Sequence, residues 1–273
     1  LVLLTNITTM KKILFISCIV LAACSTRTLT NPGQSTATSI PIQGKLFTTL
    51  YQQRAAEYRA LCLQAFNVAH WQLDAYRAVS NKPKAIITDI DETVLDNSAY
   101  EAHQTLQGKD YDPISWYEWT NMSAADTVPG APAFLKYAAS KGVEIFYITN
   151  RDEKERASTM ANLRKFNLPN TDDAHLLLKQ TISGKEPRRQ QVMNTHEVVM
   201  LIGDNLADLS SLFDKKPEAE RMRNTDLSTK DFGIRFIVIP NPVYGDWESS
   251  LYKFNKYTLA QKDSVIRSVM KTY

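Results

Sequence analysis

Four short apolar runs, each stopping in polar or turn residues, constrain this chain more than any other feature. They fall at residues 85–89, 143–149, 198–204 and 234–240. Segments of helical periodicity separate them, among them 131–140 and 154–166. Apolar strands alternating with helices predict an α/β fold around a parallel sheet. In such a sheet the ligand crevice opens at the carboxyl ends of the strands. The residues that end each run are therefore the first place to look for chemistry. With 44% hydrophobic and 22% charged residues, the chain can build such a core, and wholesale disorder is excluded. Its 273 residues fit one large domain with at most a small accessory one.

Upstream of the first run, Phe47, Tyr51, Ala55, Tyr58, Cys62, Ala65, Ala69, Leu73 and Tyr76 recur at three- or four-residue steps. This predicts one or two amphipathic helices over about 44–80, with Cys62 packed in the core. Residues 24–43 read as a flexible tether, rich in Ser, Thr, Asn, Pro and Gly. Further upstream, Met10-Lys11-Lys12 precedes an apolar run over 13–23. A short basic segment and a short apolar run read as a secretory signal over 1–23, with the true start expected at Met10. The run is too short to span a bilayer comfortably.

That run ends in Leu21-Ala22-Ala23-Cys24, which resembles the bacterial lipobox, in which the cysteine is lipidated and becomes the new N-terminus. The resemblance implies a lipid-anchored protein of the bacterial cell envelope. Ser25, rather than an aspartate, favours the outer membrane of a Gram-negative cell. Cleavage before Cys24 would remove Lys11, Lys12 and Cys18, lowering the formal charge from +3 to +1. So weak a charge gives no support for nucleic acid as a partner. Cys62 is then the one unmodified thiol, and a disulfide scaffold is excluded.

The first strand runs into Asp89-Ile90-Asp91-Glu92-Thr93-Val94-Leu95-Asp96, four acids within eight residues. Such a cluster must be solvated, paired or bound to a cation. The second strand ends in Thr149-Asn150-Arg151. Lys185 lies in Ser183-Gly184-Lys185-Glu186-Pro187-Arg188-Arg189 before the third strand, which ends in Gly203-Asp204-Asn205-Leu206-Ala207-Asp208. Asp-x-Asp-x-Thr followed by these pieces in order resembles the haloacid dehalogenase superfamily. The fuller strings at 87–100 and 202–209 are similar to the paired signatures of class C bacterial acid phosphatases. Leu209 stands where members of that family often carry an aromatic residue.

The resemblance covers about 44–273. It implies a Rossmann-like, haloacid dehalogenase-like core with a small helical cap, drawn from about 44–80 and 101–128. It implies hydrolysis of phosphate monoesters with one Mg²⁺ per active site, held by Asp89, Asp204 and the backbone carbonyl of Asp91. Asp89 would be the nucleophile and Asp91 the general acid and base. Thr149 and Lys185 would hold the phosphoryl oxygens. Lys179, Arg188 and Arg189 compete with Lys185 for its role, and Asp208 would orient Lys185 or bind the metal through water. Glu92 and Asp96 are read as structural. Aromatic residues flanking the catalytic face, Trp116 and Tyr244 first and Tyr100 next, would clamp a flat leaving group such as a nucleotide base or aryl ring. The rival readings are another hydrolase of the superfamily and a non-catalytic surface binding lipoprotein. A homodimer is left open.

Overall fold

A computed structural model describes residues 39–273. The signal, Cys24 and most of the expected tether lie outside the described residues. The strands are β1 (Lys84–Thr88), β2 (Leu95–Asp96), β3 (Asp126–Thr127), β4 (Glu144–Asp152), β5 (Leu176–Lys179), β6 (Glu197–Gly203) and β7 (Phe236–Val238). The α-helices are α1 (Ile40–Arg54), α2 (Ala56–Ala75), α3 (Ser98–Leu106), α4 (Pro113–Asn121), α5 (Ala131–Ser140) and α6 (Arg156–Lys165). They continue with α7 (Glu186–Thr195), α8 (Leu206–Leu209), α9 (Glu218–Leu227), α10 (Asp246–Leu251) and α11 (Leu259–Val269).

Five strands form one sheet in the order β5-β4-β1-β6-β7, every pair parallel. The expected α/β core is therefore present. Alternation along β1 sends Ile86 to one face of the sheet and Ala85 and Ile87 to the other. On the first face Ile86, Ile145 and Ile202 pack with Cys62, Phe66, Phe134 and Leu135. On the second, Ile87, Phe146 and Leu201 pack with Val192. A parallel sheet covered on both faces explains why its strands read as nearly unbroken apolar runs.

Three sequence expectations change. Residues 176–179 fall outside the four expected strands, yet they form β5 at the edge of the sheet. Residues 40–43, expected in the tether, belong to α1 instead, with Pro41 in its first turn, where the missing N–H is harmless. The third concerns the helices over 44–80. The buried face of α2 carries Tyr58, Cys62, Phe66, Ala69 and Leu73 into the main core, so α2 covers the sheet instead of capping the site. In α1 the expected stripe is turned outward: Phe47 is 71% exposed, while Ile42, Lys45, Thr49 and Gln52 are buried. Helix α1 lies against α3 and α11. Among the described residues no helix is long and apolar enough to cross a membrane.

Candidate active site

The carboxyl ends of β1, β4 and β6 meet at one point. After β1 the chain turns sharply. The Ile90 carbonyl accepts from the backbone N–H of Thr93, Val94 and Leu95, and Glu92 takes a left-handed conformation with φ 59°. The turn drives Ile90, Val94 and Leu95 into the core and leaves Asp89 and Asp91 facing the cavity. A non-glycine residue at positive φ needs support. Here the Glu92 carboxylate supplies it, accepting from Asn97 N at 2.8 Å and from the Tyr244 hydroxyl.

At the floor of the cavity the Lys185 ammonium donates to Asp89 Oδ1 and, at 2.7 Å, pairs with Asp208 Oδ1. Asp208 can stand there because residue 203 is glycine: a Cβ at that position would lie 2.5 Å from Asp208 Cβ. Asp208 also closes a capping box on α8, accepting from Asn205 N. Asp204 accepts from Thr93 Oγ1 at 3.0 Å and from Asn241 Nδ2 at 2.8 Å. Burial first, and then the neighbouring carboxylates, push Asp89 well above the carboxylate range although Lys185 opposes this. Burial and Asp208 push Asp204 up to about 7. Burial works against the Lys185 charge, but Asp208 and Asp89 hold it protonated.

The Asp91 carboxylate is gripped from three sides. Arg151 Nη2 and Nε donate to Oδ1 at 2.7 and 3.1 Å, Asn97 Nδ2 at 2.9 Å, and Thr149 Oγ1 to Oδ2 at 3.4 Å. The motif assigns Arg151 no role. Its place directly after Thr149-Asn150 at the strand end was the available signal. The other cations sort themselves by contact. Lys179 pairs with Asp152 at 2.7 Å. Arg189 donates to the Ala207 and Asp208 carbonyls. Arg188 donates to the Thr149, Ser183 and Gly184 carbonyls and to Asn150 Oδ1. Of the four, Lys185 alone reaches Asp89, and Arg188 ties the Thr149 strand end to the Lys185 loop.

The cavity above this floor has a volume of about 870 Å³. Trp116 and Tyr244 line it, as expected. Tyr100 does not. It is buried behind the wall, its ring edge-on to Trp116 with centroids 5.1 Å apart and its hydroxyl 3.2 Å from Ser115 Oγ. Tyr100 therefore supports the wall and cannot stack on a ligand. Tyr111, Tyr252 and Tyr257 also line the cavity and were not singled out.

Residues 10–247 match the family described as HAD superfamily, subfamily IIIB (acid phosphatase). The chain belongs to this family. Its structure is similar to that of the class C acid phosphatase from Bacillus anthracis, with a TM-score of 0.82 and 40% identity over 85% of this chain and 99% of that one. The tungstate-bound structure of that enzyme matches with the same TM-score and identity, over 86% and 99%. Among sequences, the stem 31 kDa glycoprotein of Glycine max is 26% identical over 164 residues, and the match spans 58% of each protein.

The acid phosphatase fold here presents a donor set suited to a divalent metal. Asp89, Asp204 and Asp208 each offer a carboxylate oxygen within 4.8 Å of the others. Among the described residues Lys185 is the one cation paired with the cluster, through Asp89 and Asp208, and burial, with the neighbouring carboxylates adding to it, has raised Asp89 and Asp204. An all-oxygen set with excess negative charge fits a hard cation. Asp89 and Asp204 are the two carboxylates expected of a metal site here. The Asp91 side chain is engaged by Arg151, which leaves its main-chain carbonyl for the third expected contact, and Asp208 stands beside them paired with Lys185.

Proposed function

We propose that this chain is a Mg²⁺-dependent acid phosphatase that hydrolyses phosphate monoesters of flat leaving groups, 5′-nucleotides and aryl phosphates, through an aspartyl-phosphate on Asp89. The observation that carries this reading is Lys185 bridging Asp89 and Asp208 beneath a cavity walled by Trp116 and Tyr244. Tungstate is a tetrahedral oxyanion like phosphate, and its binding by the Bacillus anthracis enzyme supports an oxyanion site here.

A phosphate monoester is doubly anionic and repels an attacking carboxylate until charge is offset. Mg²⁺ held by Asp89 and Asp204 would supply that offset and polarise a phosphoryl oxygen. Asp89 attacks phosphorus while Asp91 gives its proton to the departing alkoxide, which leaves as the alcohol. Asp91, now a carboxylate, then takes a proton from water as the water attacks phosphorus, releasing phosphate and restoring Asp89. Thr149 Oγ1 and Lys185 Nζ hold the phosphoryl oxygens. Arg151 and Asn97 fix the orientation of Asp91, and Arg188 keeps Thr149 and Lys185 at a constant separation. The aromatic wall stacks on the leaving group. A lipid on Cys24 would hold the enzyme on a membrane of the bacterial envelope, reading outer membrane from Ser25; Cys24→Ser should then move it from the membrane fraction to the soluble one.

The test is turnover of p-nitrophenyl phosphate and AMP by wild type and Asp89→Asn, in Mg²⁺ and in EDTA. Turnover is expected only for wild type with Mg²⁺. Full activity in EDTA would remove the metal from the reading, and full activity of Asp89→Asn would remove the nucleophile.

A further inference from the structure

The cavity is longer than the catalytic floor and the aromatic wall require. Beyond them it is lined by Glu101, Lys45, Asp110, Glu248 and Lys262. Most of this charge is already matched. Asp110 accepts from Lys45 Nζ at 2.6 Å and from Lys262 Nζ at 2.7 Å. Glu101 and the half-buried Glu248 are the exceptions, and Glu101 is the deeper of the two. It is 4% exposed, yet among the described residues its carboxylate takes part in no hydrogen bond and no ion pair within 4.0 Å. A buried carboxyl is normally satisfied, because leaving it unpaired is unfavourable. One that opens only into a ligand cavity is satisfied when the ligand arrives.

We propose that Glu101 is a specificity-determining residue of the acid phosphatase, accepting a hydrogen bond from an N–H donor on the leaving group held by the aromatic wall. The substrate class is then phosphate monoesters whose ring carries an amino or amide group, the amino-bearing nucleotides foremost. Two further observations agree with it. Glu101 follows Tyr100, whose ring supports Trp116, so α3 sets the wall and the carboxyl together. Burial, opposed by Lys45 and assisted by Asp110 and Glu248, pushes the Glu101 carboxyl up to about 7. In acid it is a neutral donor and acceptor side by side, matching the paired acceptor and amino group on the edge of adenine or cytosine. An amide in its place preserves that pairing.

This inference rests on the phosphatase reading, and one experiment separates the two. Turnover of AMP, purine riboside 5′-monophosphate and phenyl phosphate is measured with Mg²⁺ at pH 5.5 for wild type, Glu101→Gln and Glu101→Ala. AMP and the purine nucleotide differ only in the amino group. Wild type should favour AMP by about tenfold in kcat/KM. Glu101→Ala should abolish that preference through KM while phenyl phosphate turnover holds, and Glu101→Gln should keep most of it. An equal ratio in all three proteins overturns the proposal. So does a parallel fall on all three substrates, which would mark Glu101 as structural. No turnover of any substrate by wild type would instead overturn the phosphatase reading itself.

Discussion

Removing the Lys185 ammonium tests the charge balance of the site directly. In Lys185→Met a side chain of similar length fills the same space, but Asp89 and Asp208 lose the cation paired with them, beside Asp204. Lys185 is 5% exposed, and its partners Asp89 and Asp208 are 9% and 10% exposed, so the ion pairs are shielded from water. Breaking such a pair by deleting one partner costs about 3–5 kcal/mol, because the remaining charge stays buried. For a domain of this size that lowers Tm by roughly 6–20 °C. Thermal melts in EDTA at pH 8 measure it. Mg²⁺ should then recover part of the loss, about 2.7 kcal/mol at a hundredfold excess over its Kd, and recover more in the variant than in wild type, since the variant has more uncompensated negative charge. A variant that melts within about 2 °C of wild type in EDTA would refute the ion-pair geometry. One rescued equally well by Na⁺ at the same ionic strength would refute a specific divalent site.

Gly203→Ala places a methyl group against Asp208, 2.5 Å from its Cβ. Displacing Asp208 should lower kcat by at least tenfold while the protein remains folded, which paired kinetics and melts will check. Glu197 accepts from Ser80 Oγ, Tyr76 Oη and Val79 N, and these donors hold its carboxyl down to about 2. Its folded value is lower than its unfolded one of about 4.3, so its contribution is complete above pH 4.3 and disappears as pH falls toward 2. Melts of wild type and Glu197→Gln should therefore differ most at pH 6 and converge on acidification; a constant difference would remove the linkage.

The strands that carry the site were legible because burial on both faces leaves long apolar runs, and because each run stops where the chemistry begins. Strand β5 escaped because four residues at a sheet edge do not stand out from a short apolar turn. Helix α1 misled for a different reason. Both its faces carry apolar residues, the helix packs against α3 and α11, and its buried positions include the polar Lys45, Thr49 and Gln52, so periodicity selected the wrong side. The catalytic-face residues were readable from motif order, but their partners were not. Nothing along the chain shows that Arg151 turns back on Asp91, that Tyr100 stands behind Trp116, or that Asp208 stands close enough to join Asp89 and Asp204. Those facts depend on side chains separated by tens of residues.

Asp110 joins Lys45 of α1 to Lys262 of α11, at the far end of the cavity. These contacts close loops of 65 and 152 residues, and each loop must be ordered before its ion pair contributes anything. Lys45 is buried, while Asp110 and Lys262 are 23% and 17% exposed, so water screens part of each pair. The cavity mouth can therefore open by a local fluctuation while the sheet and its acidic floor stay folded. Hydrogen exchange at the start of α1 and along α11 would then be faster than in β1 and β6, and a substrate could enter between α1 and α11 without disturbing the residues that act on it.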